Sequence, residues 1–98
     1  MKQINLVFNK SISSLCGNPY GQQVYNEQVS CLFDENDQIE VCIPDYIDSV
    51  SMSFAQGFYS SLAEKYGLEN VGKYIKIKSS HERVNQKFAS AITIRNLL

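Results

Sequence analysis

Val50-Ser51-Met52-Ser53-Phe54-Ala55 is the stretch at which the character of the chain changes. Before it, Ile39-Glu40-Val41-Cys42-Ile43 is short and β-branched, the composition of a strand. After it, Phe54, Phe58, Leu62 and Tyr66 fall at successive fourth positions, with Ala55 and Tyr59 beside them. That spacing predicts a helix with one broad apolar face. Ser51 or Ser53 supplies its N-cap, since a serine oxygen accepts one of the N–H groups that a helix start leaves free. Gly67 supplies its C-terminal stop. Pro44 and Asp45 close the strand, and Ile47 to Val50 reads either as loop or as more extended chain.

Working outward, the same alternation of patterns repeats on both sides. Ile4-Asn5-Leu6-Val7-Phe8-Asn9 alternates, with Ile4, Leu6 and Phe8 on one face, and predicts a first strand over 4–9. Lys10 to Tyr20, rich in Ser, Asn and Gly and ending near Pro19, reads as a loop. From about Gly21 to Phe33, Val24, Tyr25, Gln28, Val29, Leu32 and Phe33 recur at helical spacing, and Asp34-Glu35-Asn36-Asp37 ends that helix in a turn. Lys73-Tyr74-Ile75-Lys76-Ile77-Lys78 alternates strictly, as an edge strand with one wet face does. Ser79 and Ser80 cap a third helix whose stripe is Val84, Phe88, Ala91 and Ile92, with Leu97 and Leu98 as its continuation. The order β-α-β-α-β-α predicts a single α/β domain: a mostly parallel or mixed sheet of three or four strands with about three helices. A length of 98 residues fits one such domain and no second one.

Composition narrows the function. Nine basic against ten acidic side chains leave a net charge of −1, which argues against a general duplex-binding protein. No apolar run is long enough to span a membrane, and no long apolar segment follows Met1-Lys2-Gln3-Ile4-Asn5, so a cytoplasmic protein is expected. Cys16, Cys31 and Cys42 are odd in number and show no CxxC spacing, which offers no zinc framework. Cys31 and Cys42, set among apolar neighbours, read as small buried hydrophobes, and free thiols suit a reducing compartment. Charge is divided along the chain: residues 11–64 carry −8 and no Lys or Arg, whereas residues 65–98 carry +5. Either the two halves pack together and partly neutralise each other, or they form a charged docking surface.

No catalytic constellation stands out. His81, beside Ser80 and Glu82, reads as a solvated residue in the first turn of a helix. There is no GxSxG elbow, phosphate loop or GxGxxG. The chain is read as non-enzymatic, with no cofactor and no metal site. Asp45 and Asp48 lie beyond the C-terminal end of a strand, where open α/β sheets bind ligands.

The unit from Ile39 to Gly67, a strand, a Ser51-Met52-Ser53-Phe54-Ala55 turn and an amphipathic helix, resembles STAS-like domains, the small group related to anti-sigma factor antagonists. The likeness extends in pattern from about Gly17 to Ile92. It implies an α/β regulatory module of bacterial or phage setting whose partner is a protein, a histidine-kinase-like ATPase or an anti-sigma factor. It implies docking through the turn, with Ser51, Met52, Ser53 and Gln56 as contact residues and Ser51 or Ser53 as phosphoacceptor. The antagonists carry a Ser-Ser-Gly-like run after Asp; this chain has neither that Asp nor that Gly, and Met52 stands at one of the acceptor places. Plain capping therefore stands beside phosphorylation as a role for the two serines. Two further readings stand open: a small-ligand or nucleotide site built from the 15–21 loop with Asp45 and Asp48, and an acidic partner or nucleic acid held by Lys73 to Lys87.

Overall fold

A computed structural model describes residues 2–93. In chain order its elements are β1 (Lys2–Asn5), β2 (Ser14–Leu15), α1 (Asn18–Val24), β3 (Ile39–Cys42), β4 (Ser49–Val50), α2 (Met52–Tyr66), β5 (Ile75–Lys78) and α3 (Glu82–Thr93). β3 is the centre of a three-stranded parallel sheet in the order β1-β3-β5, and β2 and β4 form a separate parallel pair. The expected α/β domain with a parallel sheet is what the chain forms. The proposed extension of the last stripe to Leu97 and Leu98 lies outside the described residues.

The register explains the alternation seen in the sequence. Lys2, Ile39 and Ile75 stand in one row, Ile4, Val41 and Ile77 in the next such row. Ile39, Val41 and Ile75 are buried in a core that includes Phe54, Phe58 and Phe88. On the opposite face the rows are Gln3-Glu40-Lys76 and Asn5-Cys42-Lys78, exposed except for half-buried Glu40 and Cys42. Two crossovers that step the same way across a sheet place their helices on one side of it when both have the usual right-handed sense. This side is apolar, and the other is polar.

α2 is built as its sequence prescribes. Ser51 is extended (φ −79°, ψ 157°) and its hydroxyl accepts from the Phe54 N–H. Phe54, Phe58 and Leu62 are buried, and Tyr66, at the end of the same stripe, is half-buried. Gly67 ends the helix with φ +93°, a conformation that a side chain would strain. Phe88 meets the core rings of α2 edge to face, Phe58 at 5.7 Å between ring centroids and 79° between planes.

Several expectations are corrected. The first strand is Lys2–Asn5 rather than 4–9. α1 starts at Asn18, ahead of Gly21, because Pro19 lies in its first turn, where a missing N–H costs nothing. The 10–20 stretch is not all loop, since Ser14–Leu15 pairs with Ser49–Val50. Of the segment Ile47 to Val50, only Ser49–Val50 is strand; Ile47 closes a turn on the Pro44 carbonyl. The first helix does not run regularly to Phe33. It widens into a π-helical turn at Tyr25–Val29, in which the Ser30 N–H reaches the Tyr25 carbonyl, and closes in a 3₁₀ turn at Ser30–Leu32. The wide turn carries the residues after it off the buried face: Leu32 is 40% exposed, and Cys31 is exposed rather than buried. Cys42, also expected inside, is half-buried on the polar side of the sheet.

Candidate functional site

The turn between β4 and α2 is built from serines with unequal duties. The Ser51 hydroxyl accepts from Phe54 N at 3.0 Å and, more weakly, from Gly17 N at 3.4 Å. With its lone pairs taken, the proton it retains is the one shared with Ser53 Oγ, 3.1 Å away. The Ser51 N–H is held by the Leu15 carbonyl at 2.8 Å. Ser51 is thus the cap and a tie between α1, β2 and α2. Ser53, the other cap candidate, is exposed in the first helical turn with its own hydroxyl proton free to point outward. Met52 is half-buried and packs against the core. Gln56, one turn on from Met52, is half-buried beside this edge. The four residues read from sequence as one contact surface therefore separate into a cap, a packing residue and two residues at the surface.

Asp45 and Asp48 are engaged with the start of α3. Ser80 Oγ donates to Asp45 Oδ1 at 2.9 Å, and His81 Nε2 lies 2.7 Å from the Asp45 carbonyl oxygen. A carbonyl can only accept, so Nε2 carries the proton and His81 acts as a strut between the two loops, not as a solvated bystander. Arg83 Nε donates to the Asp48 carbonyl at 2.6 Å, and its Nη2 lies 3.7 Å from Asp48 Oδ2. That ion pair joins the acidic and basic halves of the sequence, as packing of the two halves requires, although an exposed pair contributes at most about 1 kcal/mol. The 15–21 loop meets α2 instead: Gly17 reaches Ser51, and Gly21 lies against the backbone of Phe54 and Phe58.

A cleft of about 410 Å³ does open at the carboxyl ends of the three parallel strands, walled by Asn5, Cys42, Asp45, Lys78, Ser79 and Ser80. Of the ligand residues read from sequence, only Asp45 reaches it. Asn5, Cys42 and Lys78 form the last row of the polar sheet face. The alternation of β5 placed Lys78 on a wet face, but the register that sets it beside Cys42 is a long-range property of the pairing. The chain leaving β1 is clamped nearby. The Gln28 carboxamide accepts from Val7 N at 2.8 Å and donates to the Val7 carbonyl at 2.9 Å, and Tyr46 Oη donates to the Phe8 carbonyl at 2.6 Å.

Two phenols are perturbed, and neither lies in these places. Burial pushes Tyr59 well above the ordinary tyrosine range; Tyr25 is raised by burial first and by its neighbour Tyr66 second. Among the described residues no group of three or more His, Cys, Asp or Glu is placed to hold a metal ion, and no helix is long and apolar enough to cross a membrane. Comparison with protein-family models, curated proteins and solved structures finds no match to this chain.

Proposed function

We propose that this chain is a non-enzymatic regulatory module that docks a protein partner through the β4–α2 turn. The observation that carries the reading is the division of labour between the serines: Ser51 is spent on the cap, while Ser53 presents its hydroxyl to solvent in the first turn of a 15-residue helix. A phosphate added to Ser53 changes the local charge by about −2 and meets the favourable end of the helix dipole, so it is tolerated by the fold while transforming the surface that a partner meets. The resemblance to anti-sigma factor antagonists supports the same location and names the kind of partner, a kinase-type ATPase or an anti-sigma factor, encountered in the cytoplasm. Ser53 and Gln56 make the contact; Met52 shapes it from beneath.

Quantitative co-purification from the native cell tests this. Tagged wild type, Ser53→Glu and a control on the opposite side of the sheet, Lys76→Ala, are compared. The reading expects wild type and Lys76→Ala to retain the same ATPase-type partner and Ser53→Glu to lose it by about tenfold or more, a change of about 1.4 kcal/mol in binding. Equal recovery by all three, or recovery of no such partner, contradicts it.

A further inference from the structure

We infer that the cleft at the carboxyl ends of β1, β3 and β5 is a second site, independent of the β4–α2 turn, which binds a small phosphorylated sugar. Parallel strands gather their ligands at this end, and a volume of about 410 Å³ is the size of a small-molecule site. The polar groups around it are unequally committed. Lys78 has no ion-pair or hydrogen-bond partner for its ammonium among the described residues, and the Asn5 carboxamide has none for its amide. Ser79 Oγ accepts from the His81 N–H at 3.0 Å but still has its own proton to donate. One cation and two neutral donors thus border one space, a set that suits a phosphate.

Asp45 decides what the rest of the ligand must be. Its Oδ1 is occupied by Ser80, whereas Oδ2 has no partner among the described residues. A free carboxylate oxygen repels phosphate and accepts from a hydroxyl. The phosphate therefore sits toward Lys78 and Ser79, and the hydroxyls of the sugar toward Asp45. Cys42 faces Lys78 on one side and Asn5 on the other in the sheet register, so a bound ligand covers its half-buried thiol.

Ribose 5-phosphate, inorganic phosphate and ribose are the probes. In a Cys16→Ser, Cys31→Ser background, the rate of Cys42 alkylation by iodoacetamide is followed, together with the amide resonances of Lys78 and Ser79, which report binding whatever the thiol reactivity. Ribose 5-phosphate at millimolar concentration is expected to slow alkylation several-fold and shift both resonances. Inorganic phosphate is expected to do so more weakly and ribose not at all. Lys78→Ala, a change at an exposed edge position, abolishes the response, and Asp45→Asn reduces the preference for ribose 5-phosphate over phosphate. No resonance shift with ribose 5-phosphate, or an undiminished response in Lys78→Ala, overturns the site; equal binding of phosphate and ribose 5-phosphate overturns the ligand class.

Discussion

Ser51 and Ser53 are separated by one residue and chemically identical, yet removing their hydroxyls has different consequences. Ser51→Ala leaves the Phe54 N–H without its acceptor and is expected to cost about 1 kcal/mol of unfolding free energy. Ser53→Ala removes an exposed hydroxyl and is expected to stay within about 0.5 kcal/mol of wild type. Urea titration of both variants distinguishes them, and the reverse order would assign the cap to the wrong serine. Tyr59 makes a second prediction at this scale. Burial favours the neutral phenol, so the folded chain holds that proton more tightly than the unfolded chain does. The associated stability is complete below the unfolded-state value of about pH 10 and declines as pH rises above it. In urea titrations taken through the alkaline range, Tyr59→Phe should show a shallower loss of stability than wild type; parallel curves would mean the phenol is not protected.

At the scale of elements, the contact between α1 and α2 is made by two glycines. A Cβ on Gly21 would overlap the Phe54 carbonyl, and one on Gly57 would overlap the Asn18 carbonyl, both backbone atoms that cannot swing aside. In an isolated helix Gly→Ala gains about 1 kcal/mol. At Gly57 the sign inverts, and Gly57→Ala is expected to lose about 1–3 kcal/mol in thermal or urea unfolding; a stabilised variant would refute the close crossing. The sequence pattern exposes some elements and hides others for physical reasons. α2 was legible because Phe54, Phe58, Leu62 and Tyr66 recur at every fourth position between a serine cap and a terminal glycine, so local and long-range preferences agree. β2 and β4 were not, since two residues make no period. Pro19 reads as a breaker until its place in a first turn is known. The π-helical turn at Tyr25–Val29 leaves the apolar spacing intact while rotating the residues beyond it, and Cys31 and Leu32 reach solvent as a result. The turn also aims Gln28 at the backbone of Val7, so it serves to clamp the end of the first strand segment.

At the scale of the whole molecule, the sheet presents its apolar side to the helices and a polar side bearing Gln3, Asn5, Lys76 and Lys78 to solvent. Parallel sheets are ordinarily covered on both faces, and the alternation in β5 foretold the wet side. Which residues meet across the strand ends could not be read from the sequence, because it depends on the register of three segments distant in the chain. Asp45 and Asp48 illustrate this: their spacing suggested a shared ligand, whereas the packing of α3 sends one to Ser80 and His81 and the other to Arg83. The β4–α2 turn was legible as a place, and the structure assigns its residues separate duties. Hydrogen–deuterium exchange of the chain, alone and bound to the partner retained by wild type, tests the proposed docking role most directly. Protection on binding concentrated over 51–56 is the predicted result; unchanged exchange there, with protection elsewhere on the molecule, would contradict it.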